Sequence, residues 1–383
     1  MAGQFLMKKR ILIDATTIVE KKDGLSQYII SLLAQLPKLA LEEFDITVLI
    51  KKDVKRRELW DVLNARKFKI LQANIAPIGP KRDLDFFIFF LRNKKKFDLF
   101  HSTSNQYPVC LKHGIATVHD ITFKKYLDSK WWTFNMGSRY LNFVISNSLK
   151  KSAAVIAVSN HTKNDLVNTY KCTGEKIHVI YEGWEHLKKS NSLVTEESLP
   201  IFTHYLFYVG TTRLHKNIKN LLKGFNIATT DLPQKIKLVI SGNETYLDEE
   251  EKEIVMQLNK NGQRIVFTGF VSKENLEQLF RNADAFIFPS LSEGFGIPVL
   301  EAFYFKKPLL CSNATSLPEI AGNAAIYFDP EKPQKIAEAI LHFFKTPALA
   351  KELVVKGEER LKLFSWEKMA KETVALYKKV LGV

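Results

Sequence analysis

The chain has 383 residues, 46% hydrophobic and 25% charged, which is an ordinary composition for a folded protein and long enough for two cores rather than one. Its three cysteines, Cys110, Cys172 and Cys311, are far apart with no metal-ligand spacing, which reads as reduced thiols in a cytoplasmic protein and excludes a disulfide scaffold. The net charge of +15 sits almost wholly in the first half, where residues 1–190 carry 32 Lys and Arg against 18 Asp and Glu, and residues 191–383 carry 24 against 23.

Along the chain, short apolar runs of β type alternate with helical stretches. In the first half they fall at 11–13, 46–50, 99–101, 116–119, 155–158 and 178–181. In the second half they fall at 205–209, 237–240, 265–268, 285–288, 308–311 and 325–328. Alternation of this kind predicts an α/β protein with parallel sheets covered by helices, and two such sets predict two doubly wound, Rossmann-like domains. The polar, aperiodic residues 186–200, ending in Pro200, read as the linker between a domain at 1–185 and one at 201–365. An amphipathic helix closes the chain at 366–383. The basic start is followed by a strand that Asp14 interrupts, so no signal or membrane-spanning segment is expected.

The basic clusters are Lys51-Lys52-Asp53-Val54-Lys55-Arg56-Arg57, Lys81-Arg82 and Lys94-Lys95-Lys96, with the apolar run Phe86-Phe87-Ile88-Phe89-Phe90-Leu91 between the last two. A basic half could serve nucleic acid, an anionic membrane surface or an acidic substrate; no nucleic-acid reading motif and no Arg-aromatic interleaving accompanies the clusters, and a membrane surface fits better. The Phe run itself reads either as a buried helix or as an inserting face, and the charge asymmetry favours membrane association. Asp83-Leu84-Asp85 superficially has the form of an Asp-x-Asp metal motif, but it lies in a charged, helix-like segment and reads as surface charge.

Two carboxylates, Glu293 and Glu301, flank a Gly294-Phe295-Gly296 turn between the apolar run 285–288 and a helix opening at Pro298. The loop therefore sits at the carboxyl end of a strand, where open α/β sheets bind ligands and where amides and a helix start favour an anion. Carboxylates beside an anion site make sense when they accept hydrogen bonds from ligand hydroxyls, a combination that a nucleotide-sugar presents. Taken alone, the pair also reads as solvated charge, or as the paired carboxylates of a hydrolase. A second strand-end loop, Gly210-Thr211-Thr212-Arg213-Leu214-His215-Lys216-Asn217, brings a cation and amides to the end of 205–209. Arg213 reads either as a second cation for the same anion or as a surface arginine.

The Glu-x7-Glu spacing around Gly-Phe-Gly, with Pro298 and Ala302, resembles the signature of retaining glycosyltransferases of the GT-B fold, in particular glycosyltransferase family four and its mannosyltransferase-like members. The resemblance runs in order through ILIDATTIVEKKDGLSQYIISLL, ATVHDITF, AVIAVSNHTKNDL and LFYVGTTRLHKNIKNLLKGF, and ends in FSWEKMAKETVALYKKVL.

It implies a donor site in which Lys216 contacts the diphosphate, Glu293 the sugar hydroxyls and Glu301 the ribose. Amides of Gly294, Phe295 and Gly296 would meet the diphosphate or sugar, and Phe270 and Val271 would cradle the base. Gly24, where the helix is expected to begin near Gln27, would approach the donor phosphate or the acceptor. His119, at the end of its strand and facing the interdomain cleft, would lie beside the transferred sugar. Lys216, Glu293 and His119 are thus the expected catalytic set.

The implied activity is retaining hexosyl transfer from a nucleotide-diphosphate sugar, GDP-mannose by preference. No metal or other cofactor is expected. The acceptor would be a lipid-linked, lipopolysaccharide or polysaccharide glycan, and the protein would be peripheral on the inner face of the plasma membrane. A soluble sugar or sugar-phosphate acceptor, an epimerase, and a non-transferring nucleotide-sugar binder are the alternatives. The closing helix would pack back on the first domain.

Overall fold

A computed structural model describes residues 8–18, 20, 23–65, 68–126, 134–189, 202–233, 235–244 and 247–383. The chain divides into two compact units, Met1–Gly183 with Ser365–Val383, and Trp184–Phe364.

Among the described residues seven strands build the first unit: β1 (Lys9–Asp14), β2 (Phe44–Lys51), β3 (Lys69–Ala73), β4 (Leu99–Ser102), β5 (Ile115–Val118), β6 (Ala154–Ala157) and β7 (Ile177–Val179). They pair in parallel in the order β3-β2-β1-β4-β5-β6-β7. Six more build the second: β8 (Tyr205–Val209), β9 (Lys237–Ser241), β10 (Ile265–Phe267), β11 (Ala285–Phe288), β12 (Leu309–Ser312) and β13 (Ala325–Phe328), in the order β10-β9-β8-β11-β12-β13. Every pairing in this sheet is also parallel. The order of each sheet reverses once, between β1 and β4 and between β8 and β11, and these switch points are where the loops leaving the strands part to leave a crevice.

The strands form where the apolar runs lie because both faces of each sheet are covered, so an uninterrupted buried run such as Ala285-Phe286-Ile287-Phe288 is favoured over alternation. Aromatic rings fill the space behind them. In the first unit Phe90 and Phe86 lie 5.4 and 5.7 Å from Phe100. In the second, Phe280 meets Phe207 at 4.9 Å and Phe305 at 5.0 Å.

Four local differences from the sequence reading have physical causes. Strand β3 was not expected: it is an edge strand with no fully buried residue, so it lacks the apolar run that marks the others. The first helix starts at Gly24 rather than near Gln27, because the Asp23 carboxylate caps it by accepting from the Ser26 amide at 2.6 Å. Residues 186–189, expected in an aperiodic linker, belong to a 3-10 turn at Glu185–Lys189, and Trp184 just before it packs its ring 5.2 Å from that of Tyr304. Residues 190–200 of that linker lie outside the described residues. Asp83 and Asp85 are not surface charge: Asp83 accepts from the Val109 amide at 3.1 Å and lies 2.6 Å from the Tyr140 hydroxyl, and Asp85 accepts from the Ala76 amide at 2.8 Å.

Two polar contacts hold the first unit together inside its core. Arg82 and Asp14 form an ion pair with both side chains buried, and the guanidinium also donates to the Thr16 hydroxyl at 2.9 Å and the Ala76 carbonyl at 3.1 Å. The closing helix, Trp366–Leu381, is tied in through Tyr377, whose hydroxyl lies 2.7 Å from Nδ1 of His101 on β4; the other ring nitrogen lies 2.9 Å from the Thr117 hydroxyl. Among the described residues no helix is long and apolar enough to cross a membrane.

Burial and the nearby His119 push the His101 imidazole down to about 3, so it stays neutral in the folded protein. The unfolded chain protonates it below about pH 6.5, so folding stability falls as pH drops through that value and continues falling to about 3. Each pH unit in that window costs about 1.4 kcal/mol from this residue. Chemical denaturation between pH 7 and 4 should therefore show a shallower acid limb, by one proton, in His101→Gln than in wild type; equal slopes would contradict this assignment.

Candidate active site

The second sheet's switch point gathers Lys216, Asn217 and Glu293. The loop after β8, residues 210–217, and the loop after β11, residues 289–296, are joined by three contacts. The Leu291 amide donates to the His215 carbonyl at 2.8 Å. The buried Asn217 side-chain amide donates to the Pro289 carbonyl at 2.9 Å and to the Pro330 carbonyl at 2.7 Å. Lys216 Nζ meets Glu293 Oε1 at 2.7 Å. Asn217 adopts φ 63° at the start of the helix Ile218–Ala228, a left-handed conformation that asparagine tolerates better than most residues. That bend turns the chain out of the 3-10 turn Leu214–Lys216, and the bonds from Asn217 and Leu291 pin Lys216 opposite Glu293.

Glu293 is held from behind as well. Its amide donates to the Thr315 hydroxyl at 3.0 Å, while the Ser316 hydroxyl lies 3.0 Å from the carbonyls of both Glu293 and Phe295. Thr315 has φ 54°, and a β-branched residue in that region carries strain of order 1–3 kcal/mol that the surrounding structure must hold. Strain and a fixed carboxylate occur together here, as they do where a loop is pre-arranged for a ligand. Gly296 starts the helix Ile297–Tyr304 at φ 104°, and a Cβ there would sit 2.8 Å from Leu317 Cδ2. Phe295 turns its ring into the core, 5.7 Å from Phe364, so only its backbone remains for a ligand.

Glu301 lies on that helix with 16% of its side chain exposed, 3.6 Å from Nε2 of His186. The Lys273 ammonium reaches the His186 carbonyl at 3.5 Å, so the 3-10 turn at 185–189 bridges the helix carrying Glu301 and the helix Lys273–Asn282. Arg213 is exposed at the start of its 3-10 turn. Phe270 and Val271 follow β10, and Phe270 is 70% exposed. The loops after β8 and β9 pack tightly, since a Cβ on Gly242 would meet the Gly210 carbonyl oxygen at 2.4 Å.

In the first unit His119 follows β5 directly. Nε2 lies 3.0 Å from the Thr103 carbonyl and Nδ1 lies 3.3 Å from Glu182 Oε1, with the Tyr28 ring edge-on at 4.8 Å. Both partners accept, so this geometry suits the imidazolium. Burial disfavours that charge, but the Glu182 bond and charge and the Thr103 carbonyl outweigh it, and the pKa is raised. Gly24 opens the first helix after β1 and is exposed.

The structure thus brings Lys216 together with Glu293 and places Gly294, Phe295 and Gly296 on the same loop. Sequence reading missed Glu182, His186, Asn217, Thr315 and Ser316. Only Asn217, immediately before a helix, carried a local signal; the others reach the site through tertiary folding.

Among the described residues no cluster of three or more His, Cys, Asp or Glu could hold a metal ion. The chemistry on offer is an ammonium with two N–H groups beyond its bond to Glu293, and a carboxylate with lone pairs to spare for hydroxyls. Such a pair can exchange its internal bond for a phosphate on the lysine and sugar hydroxyls on the glutamate. The loop geometry is essential to this, and Gly296→Ala should cost about 1–3 kcal/mol of stability through its left-handed backbone and the Leu317 clash. It should also abolish ligand-induced thermal shifts; an unshifted melting curve with ligand response intact would show that the loop is not held as described.

Comparison with known proteins follows the same division. Residues 22–186 match the family described as Glycosyltransferase Family 4, and residues 198–360 match Glycosyl transferases group 1. An O-antigen chain mannosyltransferase B of Escherichia coli is 27% identical over 300 residues, covering 75% of this chain and 76% of its own. The O-antigen chain mannosyltransferase RfbU of Salmonella typhimurium is 26% identical over 344 residues, covering 88% and 92%. Among solved structures, a sucrose-phosphate synthase from Thermosynechococcus elongatus superposes with a TM-score of 0.72 at 17% identity, covering 98% of this chain and 100% of that one. With two parallel α/β units and both family matches in sequence order, the chain belongs to the group 1, family-four-like glycosyltransferases of the GT-B fold and is a hexosyltransferase.

Proposed function

We propose that this enzyme moves mannose from GDP-mannose to a lipid-linked surface glycan with retention of anomeric configuration, working peripherally on the inner face of the plasma membrane. The observation that carries the donor half is the Lys216 and Glu293 pair across the second sheet's switch point. Support for mannose and for a polysaccharide acceptor comes from the relatives named as O-antigen mannosyltransferases.

In the proposed reaction the bond between the anomeric carbon and the diphosphate oxygen breaks, and the departing oxygen takes the proton of the acceptor hydroxyl. That hydroxyl oxygen then bonds the anomeric carbon on the same face, releasing the nucleoside diphosphate. Lys216 leaves Glu293 to meet the charge growing on the diphosphate, helped by amides of the loops after β8 and β11. Glu293 accepts from the sugar hydroxyls and Glu301 from the ribose. Arg213 is assigned as a second cation for the diphosphate and Phe270 with Val271 as the base contact. His119, whose nitrogens lie against Glu182 and Thr103, is assigned a place beside the transferred sugar rather than proton transfer, and it would reach a substrate oxygen by exchanging one of these two bonds. Charge neutralisation by Lys216 leaves no step that needs a metal.

A thermal-shift panel of GDP-, UDP- and ADP-sugars with their free diphosphates tests this reading. Wild type should be stabilised selectively by GDP-mannose and GDP, and Lys216→Ala should lose the response to both. A selective shift with another nucleotide would overturn the choice of donor; no shift with any nucleotide in well-folded protein would overturn the donor site itself.

A further inference from the structure

The helix Pro80–Asn93 has two apolar faces, and only one of them is used by the core. Phe86 and Phe90 point inward and are buried, beside the buried Arg82. Leu84, Phe87, Ile88 and Leu91 are 58%, 49%, 48% and 70% exposed. Their spacing of three, four and seven residues puts them on one stripe, opposite the buried face at about 100° per residue. Four large apolar side chains aligned in water on one helix are a surface that wants a partner, whereas scattered ones would need no explanation.

A neighbouring helix, Phe134–Lys151, extends the same patch. Its Tyr140 hydroxyl lies 2.6 Å from the Asp83 carboxylate and 2.8 Å from the Gly79 carbonyl, at the start of the helix Pro80–Asn93. Met136 and Phe143, four residues before and three after Tyr140 on the same side, are 61% and 59% exposed. Cations frame the patch: Arg92, Lys95 and Lys96 are exposed at one end, and Arg139 lies between Met136 and Phe143. Residues 78–151 hold 13 Lys and Arg against 5 Asp and no Glu, a surplus of eight out of the chain's net +15.

From this apolar stripe inside a cationic frame, we infer that the exposed face of Pro80–Asn93, together with Met136 and Phe143, is the surface by which the protein docks on an anionic lipid bilayer, the helix lying in the plane of the interface. Charge decides against a second copy of the chain as occupant, because two such frames would oppose like charges across a twofold contact. Apolar insertion and attraction to anionic headgroups act together on a lipid surface, and neither needs a preformed pocket. The inference deepens the membrane part of the proposed function by naming its surface, and it stands apart from the donor site.

Co-sedimentation of the full chain with vesicles tests it. Wild type should sediment with phosphatidylcholine–phosphatidylglycerol vesicles, increasingly less as salt is raised, and stay in solution with phosphatidylcholine alone. Lys95→Glu/Lys96→Glu should weaken binding by more than tenfold, from about fivefold for each cation removed. Phe87→Glu/Leu91→Glu should do the same through the apolar face. All four positions are exposed, so melting temperatures and donor-induced thermal shifts should match wild type, and that keeps a failure here distinct from a failure of the donor assignment. Wild type that ignores anionic vesicles would overturn the inference, as would variants that bind like wild type. A lipid-free dimer in sedimentation velocity, lost in Phe87→Glu/Leu91→Glu, would overturn it in favour of a second copy.

Discussion

The site depends on the cross-linking of two strand-end loops at the point where the second sheet reverses its order. Lys216 and Glu293 are 77 residues apart in the chain, and their 2.7 Å contact exists because β8 and β11 are neighbours while their helices leave on diverging courses. Asn217 and Leu291 fix the backbone of the two loops, and Thr315 and Ser316 fix Glu293 from the β12 side. A lysine so placed satisfies the carboxylate until a ligand arrives, which avoids a buried, unpaired charge in the empty site. The same pre-arrangement is what electrostatic stabilisation of a leaving diphosphate requires, since donors already in place need not reorganise during the reaction.

The first unit solves a similar problem with different residues. Its β1 ends in Asp14, a carboxylate with no exposure, and Arg82 answers it from the helix that also carries the Phe run. Breaking one partner of such a pair would leave a buried charge uncompensated, so that helix is anchored by its Arg82 and Phe86 side while its other face is free for a different task. His101 and His119, eighteen positions apart in the chain, are pushed in opposite directions: burial between Tyr377 and Thr117 keeps one neutral, while Glu182 and Thr103 raise the pKa of the other. Environment, not residue type, decides the charge of each.

Much of the fold was legible because buried parallel strands leave an unbroken apolar run in the sequence. Twelve of the runs became strands, with small differences at their ends, whereas β3 stayed hidden because an edge strand with partial exposure leaves no such run. The loop carrying Glu293 was legible through its glycines and its position after 285–288, and the helix after it through Pro298. What stayed illegible came from residues that are ordinary in one dimension. Glu182, His186 and Thr315 sit in segments with no periodicity, and their contacts are set by where the chain returns after a crossover. The Phe run resisted a single reading because its period of 3.6 residues sends Phe86 and Phe90 into the core and Phe87, Ile88 and Leu91 outward.

A crystal structure with a bound nucleoside diphosphate is the most direct test of the central claim. The account predicts the diphosphate on the loop after β8, with Lys216 Nζ turned from Glu293 to a phosphate oxygen and the ribose hydroxyls at Glu301. A diphosphate bound elsewhere, with the Lys216 and Glu293 contact unbroken, would contradict it.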